Sequence, residues 1–249
     1  QIIYGYNHIL DGELRSDVGH GKINMALDLT RGKENATYGG ELEMRRFDLA
    51  AWTGDRKFGK TAFKVTIDPS SSGLTLSSIN AKVTGTIDTL QYRGYTYRKI
   101  AMNGLFNRKI FDGKIKADDP NVDFTFDGLI DLRDTFPVMD FKANINRLDL
   151  GVLNLVKEDW VLSGKVQQIK FNARSWDALT GNVVLRNFQI LQDRERVHRL
   201  DSVVISSNLR KDGSRFVYFD SDIADGSIEG NYDLTKTPRR LLGMFAKYY

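Results

Sequence analysis

The stretch Ile110–Pro137, IFDGKIKADDPNVDFTFDGLIDLRDTFP, decides how this chain is read. It holds two short runs in which apolar and polar side chains alternate. They are joined by the polar turn Asp118-Asp119-Pro120-Asn121, and the second run ends before Pro137. Side chains on a strand point alternately to its two faces, so period-two patterning predicts a hairpin with one apolar and one polar face. Val122, Phe124 and Phe126 fall on one such face. Nothing in the stretch pairs a nucleophile with a base.

The same alternation continues in both directions. It runs through Lys22–Leu29, Gly40–Leu49 and Thr61–Ile67 before the stretch, and through Val138–Ile145, Trp160–Ala173, Asn182–Leu191 and Leu200–Leu209 after it. Phe141, Ala143 and Ile145 share a face on one of these runs, and Val203, Ile205 and Leu209 on another. Pro69-Ser70-Ser71-Ser72-Gly73 reads as the clearest loop. Two segments carry helical signals. Leu148–Val156 follows Asp149 but contains Gly151, and Thr237-Pro238 places a capping residue and a first-turn proline before Leu241 to Phe245.

Composition agrees with many short strands. There are 249 residues, 41% hydrophobic, with 14 Phe, 10 Tyr, 22 Gly and 4 Pro. The net charge of +4 is interleaved along the chain rather than gathered on a stripe, which argues against a nucleic-acid binder. With no Cys there is no disulfide, thiolate nucleophile or Cys-based metal site. No apolar run is long enough to span a membrane as a helix. The opening Gln1-Ile2-Ile3-Tyr4 reads as a piece of something longer.

Short motifs recur at a long period. Asp11-Gly12 returns as Asp112-Gly113, and Arg46-Phe47-Asp48-Leu49 as Arg147-Leu148-Asp149-Leu150, both 101 positions on. Asp28-Leu29 returns as Asp131-Leu132 and again as Asp233-Leu234. The chain therefore reads as one repetitive fragment, 1–249, with super-repeat units of approximately 1–89, 90–187 and an incomplete 188–249. Units of this kind stack and share one continuous sheet.

Apparent site motifs are explained by strand context. Gly54-Asp55-Arg56-Lys57-Phe58-Gly59-Lys60-Thr61 fits the phosphate-loop pattern letter for letter. That loop needs a following helix whose N-terminus faces the phosphate. Here Ala62–Ile67 alternates like a strand and stops at Pro69. Asp118, Asp119, Asp123, Asp127 and Asp131 lack the glycine and oxygen spacing of a calcium loop. His8, His20 and His198 are far apart, with no triad or zinc spacing around them. No catalytic residue, metal or cofactor is expected. The residues that stand out are Val122, Phe124, Phe126, Phe141, Ile145, Val203 and Ile205, as the wall of either a closed core or an open apolar groove.

The unit running from Leu90-Gln91-Tyr92-Arg93-Gly94-Tyr95 through Phe111-Asp112-Gly113-Lys114-Ile115, Asp119-Pro120-Asn121 and Phe126-Asp127-Gly128-Leu129-Ile130-Asp131-Leu132 resembles the repetitive central region of TamB proteins. These belong to the AsmA-like superfamily, and the form here is most similar to Bacteroidetes-type versions. Phe141–Leu155, FKANINRLDLGVLNL, fits the same pattern. The resemblance is strongest over Leu90–Leu155 and weaker towards both ends. It implies an all-β fold, an elongated, curved, repetitive and mainly antiparallel sheet of the β-taco or groove type, with few short helices. It also implies a non-enzymatic role in outer-membrane biogenesis, in which phospholipid acyl chains pass along the groove in the periplasm. The full-length protein would be anchored in the inner membrane, with a barrel partner of the TamA type engaged by regions outside this fragment. Other classes fit the same pattern: a chaperone-like scaffold offering strand edges to outer-membrane proteins, an outer-membrane barrel, and a carbohydrate-acting β-solenoid enzyme.

Overall fold

The computed structural model describes residues 8–16, 19–28, 31–75, 77–172 and 180–230, with side chains from Gly19 onward. The candidate helix at Thr237–Phe245, Asp233 and the side chain of His8 lie outside what is described. Among the described residues fourteen strands form one sheet in strict chain order. They are β1 (His8–Ser16), β2 (Gly19–Asp28), β3 (Thr37–Asp48), β4 (Phe58–Ser72), β5 (Asn80–Tyr92), β6 (Tyr95–Asn107) and β7 (Ile110–Asp119), then β8 (Val122–Asp131), β9 (Val138–Asp149), β10 (Trp160–Asn172), β11 (Thr180–Gln192), β12 (Arg196–Leu209), β13 (Arg215–Ser221) and β14 (Asp225–Gly230). Each strand pairs antiparallel with its chain neighbours, as in Ile110↔Asp131 and Asp119↔Val122 of the β7–β8 hairpin. β1 and β14 do not pair, so the sheet is open rather than a barrel. At about 4.8 Å per strand it extends on the order of 60 Å across the strands.

The fold class is thus all-β: an elongated, curved antiparallel sheet with almost no helix. The one short helix described is α1 (Leu49–Thr53), between β3 and β4. Asp48 caps it by accepting from the Ala51 N–H at 2.9 Å, and Gly54 ends it in the left-handed region at φ 76°. The equivalent Asp149 also ends a strand and accepts from the Val152 N–H at 3.2 Å. The helix expected over Leu148–Val156 does not follow. A single turn forms instead, closed by Leu153 N–H to Asp149 C=O at 3.0 Å, because Gly151 sits where Ala50 stands in α1.

The expected loop at Pro69–Gly73 is a second correction. β4 continues through Ser72, and the chain turns over 73–79. Proline lacks a ladder donor, so it is tolerated in a strand only at an edge or an irregularity. Here the pairing skips from Ile67 to Ser72 against β5 and from Tyr38 to Gly40 on β3, which frees Pro69 from the ladder. Repeated motifs sit on strands six apart. Asp28 and Asp131 end β2 and β8, and Asp48 and Asp149 end β3 and β9.

The core is one face of this single layer. One cluster gathers Met25, Tyr38, Val65, Ile67 and Ala81, covered by Leu74 and Ile79 of the 73–79 turn. A second gathers Ala117, Val122 and Leu153 with Tyr95, Tyr97 and Phe124. Among the described residues no second sheet packs on either. Among the described residues, no helix is long and apolar enough to cross a membrane.

Candidate functional site on the apolar face

Directly paired residues in an antiparallel sheet point to the same side, so the register sorts the apolar side chains into rows across the strands. The first row runs from Ile23 and Leu42 through Val65, Met102, Ile115 and Phe126 to Val166 and Val203. The second, two residues along each strand, runs from Met25 through Ile67 and Val83 to Phe141, Val183 and Ile205. From β2 to β12 neither row contains a polar side chain. A third row on the same face joins Met44, Phe63, Ile87, Ile100, Phe124 and Ile145.

The seven residues singled out in the sequence all fall on this face. Phe126 and Val203 belong to the first row, Phe141 and Ile205 to the second, and Phe124 and Ile145 to the third. Val122 lies one step nearer the edge, opposite Leu148, and packs under Leu153. Phe126 is 7% exposed and lies between Phe111 and Phe141, with ring centroids 6.1 and 5.0 Å away. Phe106 extends this aromatic ladder at 5.0 Å from Phe111. Val203 and Ile205 are three strands or more from the ladder, in the same rows rather than in contact with it.

Glycines shape the face. Gly104, Gly113 and Gly128 lie side by side in the second row on β6, β7 and β8. A Cβ on Gly113 would come within 2.4 Å of Gly104 Cα, and one on Gly128 within 2.5 Å of Phe141 Cα. Paired strands in a flat sheet leave roughly 4.5–5.5 Å there. The strands are therefore bent towards the apolar side at this row, and Phe111 and Phe141 cover the space the missing side chains leave.

One edge of the face carries a small polar cluster. Asp119 is 3% exposed and accepts from the Tyr95 hydroxyl at 2.5 Å and from the Asn121 N–H at 2.9 Å. Burial pushes the Tyr95 phenol up, and its bond to Asp119 adds to the shift. Asp149 is fully buried and accepts from the Arg147 guanidinium at 2.9 Å. The other carboxylates of the acidic stretch separate. Asp118 pairs with Lys99, Asp127 with Lys114 and Asp131 with Arg133, while Asp123 accepts from Asn146. Among the described residues, no three His, Asp or Glu side chains are grouped to hold a metal ion. His20 on β2 and His198 on β12 are ten strands apart.

The phosphate-loop letters are dispersed in the same way. Gly54 caps α1, and Lys60 and Thr61 lie inside β4. The Thr61 hydroxyl donates to the Thr89 carbonyl at 2.8 Å, and the Lys60 N–H to Gln91 at 2.9 Å.

Met102, Ile115 and Val166 belong to the face as fully as Phe126 but were not singled out in the sequence. Their alternation was visible; their alignment with Phe126 depends on strand register, which bulges at Ser163/Lys165 and Val166/Gln168 shift locally. Leu153, fully buried at the edge of the face, was masked by the helical reading of Leu148–Val156.

The polar face has a feature of its own, a depression of about 960 Å³ spanning β6 to β11. Its side chains include Lys114, Lys116, Lys142, Lys165 and Asp127. They flank the Met102–Ile115–Phe126–Ala143–Val166 row, while Phe111, Phe124, Phe141 and Ile145 take no part. The depression is therefore on the side opposite the aromatic ladder. Comparison with protein-family models, with curated proteins and with solved structures found no match to this chain.

Proposed function

We propose that this chain is a segment of a longer, periplasm-spanning protein whose apolar sheet face conducts phospholipids between the inner and outer membranes. The observation that carries the reading is the pair of unbroken apolar rows from β2 to β12, with no second layer over them among the described residues. A monomeric soluble surface rarely leaves a continuous apolar patch of more than a few hundred Å² unless something binds there. Acyl chains fit because each CH₂ removed from water is worth about 0.8 kcal/mol. An uninterrupted row offers that gain at every step, without a trap. The reading needs no nucleophile, metal or cofactor. The resemblance of Leu90–Leu155 to TamB repeats supports the periplasmic setting, the inner-membrane anchor and a TamA-type barrel partner engaged elsewhere in the full-length protein.

Native mass spectrometry of the purified chain after exposure to phospholipid vesicles tests the reading. Intact phospholipid is expected to remain bound. In Phe124→Asp the adduct is expected to be lost while the far-ultraviolet spectrum is kept, because Phe124 is only half-buried and its replacement carboxylate reaches water. Equal lipid retention in that variant would refute conduction along this face.

A second reading rests on the open edges of the sheet. Among the described residues β14 pairs with β13 alone, and its outer backbone groups would serve strand addition, as in a scaffold for outer-membrane proteins. A peptide copying an outer-membrane barrel strand separates the two. Under lipid conduction it does not compete with phospholipid; under edge scaffolding it binds while phospholipid does not.

A further inference from the structure

The depression on the polar face has a charge pattern that the rest of that face lacks. On β2 to β4 the central polar row sets Lys22 opposite Glu43 and Glu43 opposite Lys64, so each base faces an acid. On β7 to β11 the same row reads Lys116, Thr125, Asn144, Lys165 and Arg186. Two neutral residues separate Lys116 from Lys165, Lys165 faces Arg186 directly, and no acid stands in this part of the row. In the neighbouring row Asp127 lies between Lys114 and Lys142 and pairs with Lys114 at 3.4 Å. Lys116, Lys142 and Lys165 have no ion-pair partner among the described residues. The lining thus carries four lysines against one aspartate, a net charge of +3. Of the acids beside these rows, Asp118 and Asp140 are engaged with Lys99 and Lys170, and Asp123 accepts from Asn146.

We propose that this depression is a docking site for an acidic polypeptide segment. Its chemistry selects among anionic partners. The polar side chains facing it include no aromatic ring and no free arginine fork. Single-stranded nucleic acid, which binds by base stacking over a basic groove, would therefore find only half of what it needs. An extended peptide meets both its charge and its spacing. Lys116 and Lys165 are three strand spacings apart, about 14 Å, which matches side chains four residues apart on one side of an extended chain. Between them Thr125 and Asn144, with Asn103 and Gln167 nearby, offer hydroxyl and amide groups to the peptide backbone. The unpaired lysines supply the attraction that neutral surface lacks. This surface is independent of the apolar face, so its test does not bear on lipid conduction.

Fluorescence anisotropy of the full 249-residue chain with a labelled peptide of alternating Asp and Ser residues tests the proposal. Binding is expected at low ionic strength and is expected to weaken as salt shortens the Debye length to about 8 Å. Lys116→Glu/Lys165→Glu is expected to weaken it by about tenfold or more. Lys116→Gln/Lys165→Gln keeps the proposal testable if the charge reversal disturbs folding, and is expected to give a smaller loss in the same direction. Lys211→Glu, on the exposed turn before β13, is expected to leave it unchanged. Absence of binding by the wild-type chain would overturn the proposal, as would equal binding by both Lys116/Lys165 variants. Tighter binding to single-stranded DNA or to phosphatidylglycerol vesicles than to the peptide would also overturn it.

Discussion

Replacing Gly113 by alanine adds one methyl group to a half-buried residue with ordinary strand dihedrals, yet it should be among the most damaging substitutions in the chain. The added Cβ would sit 2.4 Å from both Gly104 Cα and the Asn103 carbonyl oxygen, where ordinary contact begins at 3.4 Å. Both are backbone atoms and cannot rotate away, so β6 and β7 must separate by about 1 Å locally. A shift of that size stretches the ladder bonds on either side of the Gly104–Gly113 pair beyond hydrogen-bond range. Two such bonds contribute about 1 kcal/mol each, and forcing a methyl into a filled site costs about 1–3 kcal/mol more. The expected loss is therefore about 3–5 kcal/mol. Two other glycines separate this close approach from glycine's general effects. Gly226 has open space around it and no left-handed φ, so Gly226→Ala should stabilise by about 0.4–1 kcal/mol through the unfolded chain. Gly213 also has open space but holds φ at 84°, so Gly213→Ala should cost about 1 kcal/mol from backbone strain alone. Urea unfolding followed by circular dichroism measures all three. If Gly113→Ala and Gly226→Ala unfold at the same midpoint, the sheet is not bent at the Gly104–Gly113–Gly128 row as described.

Three further expectations concern the edge of the face, its tyrosines and its lipid. Leu153→Ala removes a fully buried side chain from between Val122, Ala117 and Tyr97 and should cost about 2–5 kcal/mol, whereas Trp52→Ala, at the equivalent but 46% exposed position, should stay within about 0.5 kcal/mol; urea midpoints distinguish them. Burial raises the phenols of Tyr38, Tyr95 and Tyr97 above the usual 10.0, so the folded chain holds these protons more tightly than the unfolded one. Their stabilising effect is complete below that value and is lost as pH rises through the folded-state values, so the urea midpoint should fall in strongly alkaline buffer, and by less in Tyr38→Phe. Phe124→Asp should lose bound phospholipid while remaining folded.

Much of the fold was legible because alternation at period two is a local property. Val122, Phe124 and Phe126 announced a face on their own strand, and the match of Asp48 with Asp149 announced a long-period repeat. Register is not local. Phe126 meets Ile115 and Ala143 rather than their neighbours because of turn lengths and bulges that alternation does not encode. Helix signals misled at Leu148–Val156 because both repeats carry the capping aspartate, and the difference between Ala50 and Gly151 decides which forms a helix. Pro69 misled because a bulge lets a strand carry it. The lysine-lined depression was hidden in plain alternation. Lys116 and Lys165 read as ordinary solvent-facing residues, and only cross-strand pairing shows that Thr125 and Asn144, rather than acids, stand beside them.

The central claim is that acyl chains lie on the apolar rows. A phospholipid carrying a diazirine in its acyl chain, photo-activated in complex with the chain and mapped by peptide mass spectrometry, tests it directly. Conduction along this face predicts covalent labels at Ile115, Phe126, Phe141 and Val203 and along their rows. Labels confined to polar-face positions such as Thr125 and Asn144, or no labelling above that of an unrelated soluble protein, would contradict it.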